Sequence, residues 1–154
     1  MKKKDIEWKR EFDIPTKHQF RWKGVRGVVW FFLSLKVRLR DAKKYGTCVA
    51  CSKPLKWDEG FGGHYIAVAR APGLLSIDEK NVHLECNRCN NPSWVPDSSI
   101  PFGAELNKRY GKGFAEKLYE RSKKSEPLPS ELQLVRIAWK LKKEVKEFEI
   151  AQEL

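Results

Sequence analysis

Four cysteines fall in two pairs, Cys48-Val-Ala-Cys51 and Cys86-Asn-Arg-Cys89, with 34 residues between the pairs. A CxxC turn aims both sulfurs at one point, and two such turns complete a tetrahedral four-thiolate shell of the kind that suits zinc. A closed shell has no open coordination position, so the metal is expected to be structural and to add folding energy to a small centre. A redox-active CxxC would need one pair, not two. The longest apolar run, at residues 28–35, is far shorter than the roughly 20 residues of a spanning helix. It also lies too far inside, behind too much charge, to be a secretory leader. No membrane segment is expected, and the cysteines are read as those of a cytoplasmic protein, where disulfides are disfavoured.

A metal on the four sulfurs would close the chain between residues 51 and 86 into a loop. His64 lies near its middle, and Asn81, His83, Asn90 and Asn91 gather at its far end. Histidine, with an ordinary pKa near neutrality, can take a proton at cellular pH. An asparagine carbonyl suits hard divalent ions such as Mg²⁺ or Mn²⁺. Each residue also has a plainer reading. His64 could bond a backbone carbonyl, Asn90 could cap a helix, and His83 could be a metal ligand, a phosphate contact or a buried structural imidazole.

The elements that must hold these groups can be read from periodicity. Val25, Val28, Val29, Phe32 and Leu39 mark one face of a helix over residues 25–43, with a buried strand at 28–35 as the competing reading. Gly60, Gly62 and Gly63 predict a turn between two short strands, the second being "HYIAVA". Residues 87–91 predict the start of a short helix, and "NPSWVPDSSIP" reads as a linker. Helices are expected at about 102–110 and from 114 to about 124, separated by "GKG". Ser130 and Gln133 form a capping box for a last helix to about 152, with a stripe of Leu134, Ile137, Ala138, Leu141, Val145 and Phe148. That stripe suits the core or another helix, including one of a second subunit. Residues 1–24, basic with Trp8, Phe12, Phe20 and Trp22, read as a loosely ordered arm that could stack on bases or dock on the core.

Charge is unevenly spread. Residues 1–47 carry 14 Lys/Arg against 5 Asp/Glu, residues 48–107 carry 5 against 7, and residues 108–154 carry 12 against 8, for a net +11. Two basic arms around a near-neutral centre suit a protein whose arms hold phosphates while the centre does something else.

Taken in order, "VWFFLSLKVRLRDA", "GTCVACSK", "GGHYIA", "NVHLECNRCNN" and "LNKRYG" resemble the NinG/Rap recombination proteins of lambdoid phages. More broadly they resemble the HNH, or ββα-metal, nucleases. The resemblance implies an α+β fold: a zinc-stapled ββα-metal (HNH-like) core flanked by basic helices. The chain is read as an N-terminal arm at 1–24, a core with its preceding basic helix at 25–100, and a helical extension at 101–154, the resemblance itself covering residues 25–124. The resemblance implies an endonuclease acting on branched DNA, Holliday junctions or D-loops, in the host cytoplasm alongside other recombination proteins. His64 then matches the general base. Asn81 matches the middle asparagine that braces the loop, Asn90 the last ligand of a catalytic Mg²⁺ or Mn²⁺, and His83 a second candidate ligand. Arg38 and Arg40 match a basic motif expected on DNA phosphates, with Arg70 and Arg88 as further contacts near the site. One departure stands out: many HNH enzymes carry an Asp ligand directly before the base, and this chain has Gly63. Asp58 and Glu59 are the nearest carboxylates upstream.

A zinc-knuckle module that holds branched DNA without cutting it would need the same cysteines and basic arms, and an RNA-binding knuckle protein would share the charge. The histidine and amide cluster separates the enzyme from the DNA-holding module, since a binder has no need of it; the sequence leaves the RNA-binding reading open. Cutting two strands of a junction calls for two active sites, which makes a homodimer a natural arrangement.

Overall fold

In this computed structural model, residues 3–91 and 98–153 are described. The chain groups into two compact units. One joins residues 1–36 with residues 129–154, and the other comprises residues 37–128. This differs from the arm, core and extension expected above.

In the first unit, the N-terminal segment is ordered by its aromatics. Helix α1 (Asp5–Glu11) buries Trp8, and the chain after it buries Phe12 and Ile14. Phe12 stacks on Trp139, ring centroids 4.3 Å apart, and meets Phe32 at 6.3 Å. Helix α2 (Val25–Lys44) runs as its periodicity predicts and not as a strand. Its Gly27 is packed so closely that an added Cβ would lie 2.7 Å from the Phe20 ring. Helix α5 (Glu131–Glu153) starts at the expected capping box: the Ser130 amide donates to Gln133 Oε1 at 2.9 Å, and the Gln133 amide donates to Ser130 Oγ at 3.3 Å. Of its predicted stripe, Leu134, Ala138, Leu141 and Val145 are buried. No helix among the described residues is long and apolar enough to cross a membrane.

The second unit is mixed α+β. A two-stranded antiparallel ribbon pairs β1 (Phe61–His64) with β2 (Val82–Glu85), in the register Phe61↔Glu85, Gly62↔Leu84, Gly63↔His83 and His64↔Val82. Between the strands the chain makes a short 3-10 turn at Leu74–Ile77. Helices α3 (Ser99–Tyr110) and α4 (Phe114–Ser122) follow, and Phe102, Leu106 and Leu118 join Leu55, Ile66 and Leu84 in one buried cluster.

The strand expectation needs correcting. Gly62 and Gly63 lie within β1, and β1 ends at His64, so "HYIAVA" is not a strand. The glycines serve close approach instead of a turn: a Cβ on Gly63 would lie 2.9 Å from the Cβ of Glu85 across the ribbon. Residues 87–90 form a turn and no helix, and most of the proposed linker, residues 92–97, lies outside the described residues.

Candidate functional site

The two cysteine pairs converge. The first knuckle is a tight loop closed by the Cys48 amide on the Lys53 carbonyl (2.8 Å) and the Leu55 amide on the Gly46 carbonyl (3.0 Å). Ser52 takes a left-handed φ of 61° in its turn. The Val49 amide donates to the Leu84 carbonyl at 2.9 Å, tying this knuckle to β2, which leads straight into the second. There the Asn90 amide closes the turn on the Cys86 carbonyl at 2.9 Å, and the Cys86 amide donates to the Cys48 sulfur at 3.3 Å.

All four sulfurs lie within 4.8 Å of one another, and those of Cys51 and Cys86 are 3.9 Å apart. A tetrahedral ion with Zn–S bonds of about 2.3 Å separates its sulfurs by about 3.8 Å, so the set fits a zinc-sized ion. All four cysteines are free of disulfides. Burial, with neighbouring sulfurs also contributing, pushes the Cys48 thiol up to about 11 and raises Cys89 as well. Cys86 moves down: burial opposes ionisation there, but hydrogen bonds at its sulfur outweigh it. A divalent cation is what would stabilise four thiolates so close together. The four cysteines could therefore hold a structural metal such as zinc.

His64 ends β1, with Nε2 2.8 Å from the Ser76 carbonyl. A carbonyl only accepts, so Nε2 carries the proton of the neutral ring and Nδ1 is its acceptor nitrogen. The carbonyl is itself held in place, because Ser76 Oγ donates back to the Gly73 carbonyl at 2.6 Å. Asn81, fully buried, braces the chain leaving His64. Its Oδ1 accepts from the Ile66 amide (2.8 Å), its Nδ2 donates to the carbonyls of Ile66 (3.1 Å) and Leu75 (3.0 Å), and its own carbonyl accepts from the Tyr65 amide (2.9 Å). Asn90 is exposed directly after the second knuckle.

His83 is fully buried. Its Nε2 donates to the Lys80 carbonyl at 3.0 Å, and Nδ1 lies 3.1 Å from Arg40 Nη2 and 3.1 Å from Asp41 Oδ2. Burial lowers its pKa against the pull of Asp41, so the ring is neutral and Nδ1 accepts from Arg40. Both nitrogens are engaged by protein, which suits the structural imidazole and not the metal ligand among the readings above.

Arg40, expected on DNA, also faces inward, donating to Asp41 Oδ1 (2.7 Å) and to the carbonyls of Glu79 (2.9 Å) and Val82 (3.1 Å). The remaining expected contacts differ. Arg38 donates to the Trp57 carbonyl at 3.1 Å with its guanidinium over that ring, Arg70 is exposed over the Tyr119 ring, and Arg88 is exposed. The two upstream carboxylates, Asp58 and Glu59, are both exposed, and Glu59 caps the Lys56 amide at 3.0 Å.

Three buried charged residues of this unit were not read from the sequence. Asp41 is fully buried and accepts from Arg40 and from the Leu84 amide (2.9 Å), locking α2 to β2. Burial would raise its carboxyl, but the hydrogen bond and charge of Arg40 hold it well below the usual carboxylate range. Arg109 closes the cluster, 3.5 Å from Asp41 and stacked 3.7 Å over Tyr45. Both residues sit in quoted motifs, "RLRDA" and "LNKRYG", but nothing local marks a charged residue as buried. Asp41→Asn leaves Arg40 without its counter-charge and Arg109 with Glu105 alone, and the loss of a partner from a buried ion cluster costs about 3–5 kcal/mol. Its chemical-denaturation midpoint should fall accordingly, while Asp58→Asn, at an exposed position, should leave the midpoint unchanged. The third is Glu85 at the end of β2, buried beside Gly63, where burial pushes its carboxyl up to about 7.

Comparison with curated proteins and with solved structures found no match. A family model described as bacteriophage lambda NinG protein matches residues 28–149, a span that takes in both knuckles, the ribbon and the helices after it. The chain therefore belongs to the NinG family.

Proposed function

We propose that this protein is a metal-dependent endonuclease that cuts branched DNA intermediates of recombination. Family membership points to a phage recombination-related role, and the site supplies the chemistry. The observation that carries the reading is His64: its Nε2 proton is committed to a fixed carbonyl at 2.8 Å, so the ring offers Nδ1 as a base from an oriented position. The ring is only partly buried, at the end of a strand braced by Asn81.

The reaction is hydrolysis of a phosphodiester. Water attacks phosphorus as His64 Nδ1 takes its proton, an O–P bond forms, the bond from phosphorus to the leaving sugar oxygen breaks, and that oxygen is protonated from solvent. A bound divalent cation would stabilise the charge on the phosphate and the leaving oxygen. Asn90, exposed beside the second knuckle, has the carbonyl oxygen such an ion accepts. Arg70 and Arg88 are exposed cations in the same unit, suited to phosphate, and with a chain of net charge +11 they favour a polyanion. Arg40 and Asp41 hold β2, as would a metal on the four cysteines, and so fix where β1 presents its histidine.

The test is incubation of the purified protein with end-labelled four-way junction, linear duplex and single strand, in Mg²⁺, Mn²⁺ or EDTA. Metal-dependent cutting of the junction in preference to the duplex is expected. Junction binding with no cutting in any metal would replace this reading with the zinc-knuckle binder.

A further inference from the structure

We infer that Arg21, lying over the indoles of Trp22 and Trp30, binds an unpaired strand of DNA, stacking a base on its guanidinium and drawing in a neighbouring phosphate by its charge. The inference rests on the nuclease reading only for its choice of DNA. Arg21, Trp22, Arg26 and Trp30 all lie in the first unit, so they belong to neither the knuckles nor the ribbon. All but Trp30 precede the span that the family model matches.

The four side chains form a layered surface. Trp22 and Trp30 meet edge to face, ring centroids 5.3 Å apart. The guanidinium carbon of Arg21 lies 4.9 Å from both centroids, and that of Arg26 lies 4.0 Å from the centroid of Trp22. Arg21 alone of the four is exposed, and the others are half-buried. The surface does not need Arg21 to stay in place. Its chain is fastened to α2 through Gly27, where an added Cβ would lie 2.7 Å from the Phe20 ring and closer still to the Trp22 carbonyl oxygen. Close backbone packing thus presets Trp22, and the outermost guanidinium has no structural duty there.

The charge has the right sign and little local compensation. Between Asp13 and Asp41 the sequence has no Asp or Glu and seven Lys or Arg. Asp5, which reaches this region, is committed to the Gly24 amide at 2.8 Å. Burial lowers the pKa of Arg21, with no carboxylate opposing it, and burial followed by the charge of Arg21 lowers that of Arg26. Two like charges held on one indole favour an anion laid across them. Exposed Lys17 and Lys23 extend the basic surface on either side in the sequence.

Charge alone would suit duplex and single strand equally. The planar groups decide between them. A duplex keeps its bases stacked on one another, whereas an unpaired strand offers each base to an aromatic ring or an arginine plane, whatever its sequence. The displaced strand of a D-loop is such a strand.

The test measures binding without cutting, by fluorescence anisotropy on zinc-loaded protein with no Mg²⁺ or Mn²⁺ present. The labelled probes are oligothymidine, an abasic strand of the same length, a duplex, and oligouridine. Wild type should bind oligothymidine more tightly than the abasic strand. Arg21→Ala should weaken oligothymidine binding by about tenfold and reduce the slope of log affinity against log salt by about 0.7, with smaller losses on the abasic strand and the duplex. Arg21→Lys should keep the salt slope but lose most of the preference for bases, because an ammonium has no plane to stack. Both variants should keep the wild-type circular dichroism and melting temperature. Unchanged oligothymidine binding in Arg21→Ala, or full recovery in Arg21→Lys, overturns the assignment. Tighter binding of oligouridine than of oligothymidine overturns the choice of DNA. Strand binding that depends on Arg21 in a protein that cuts no junction would uphold the inference and sink the nuclease reading. Junction cutting by a protein whose Arg21→Ala variant binds every strand as wild type does would do the reverse.

Discussion

Cys86→Ser should leave residues 37–128 unfolded at ordinary temperature, and a strong zinc chelator should do the same to the wild-type protein. Cys86 is buried, its amide donates to the Cys48 sulfur, and it joins β2 to the second knuckle. Its loss removes one of four ligands and cuts the link that holds the two knuckles together. Structural zinc contributes roughly 10–16 kcal/mol of binding free energy to small metal-stapled folds, whereas a domain's net stability is about 5–15 kcal/mol. The metal term is therefore as large as the whole margin. Among the described residues the second unit sets two four-residue strands and one small buried cluster beside its helices, a modest frame to offset that loss. Metal analysis should give one zinc per chain in wild type. Thermal unfolding followed by circular dichroism should lose the transition of this unit in the variant and in chelator. A wild-type protein that purifies without metal and melts identically with and without chelator would show that the thiols pack as an ordinary buried cluster.

What could be read in advance was local. The CxxC spacing announces its convergence because the turn that aims two sulfurs together is contained in four residues. Helix α2, the break at "GKG" and the capping box of α5 are equally local, being set by periodicity and by side chains three residues apart. The ribbon was misplaced because its glycines answer to a partner more than 20 residues away. Gly63 is small because Glu85 lies over it, and no pattern near residue 63 records that. The same holds for Arg40, Asp41 and Arg109. Charged residues at helix ends read as solvated or as phosphate contacts, and only the meeting of α2, β2 and α3 turns them into a buried lock. For Trp8 and Phe12 the sequence left base stacking and docking on the core both open for a similar reason, since the packing of Phe12 on α2 and α5 depends on residues far along the chain.

His64→Ala should lower the single-turnover rate of junction cutting by roughly 10²–10⁴-fold, the usual contribution of a positioned general base, while leaving junction affinity nearly unchanged. That loss corresponds to about 3–5 kcal/mol of barrier, far more than an uncharged ring at a strand end would add to phosphate binding. Truncation to alanine, however, also removes the contact with the Ser76 carbonyl, and the 3-10 turn at Leu74–Ile77 could shift with it. His64→Gln separates the two effects: its amide can still donate toward that carbonyl, but it cannot take a proton at neutral pH. If His64 is the base, both variants lose cutting alike, both bind the junction in mobility-shift titrations, and His64→Gln keeps the wild-type melting temperature. If His64 only secures the turn, His64→Gln recovers most of the rate, and the base must be sought among other groups near β1. Equal loss of cutting and binding in both variants would mean that the imidazole holds the DNA and does not activate water.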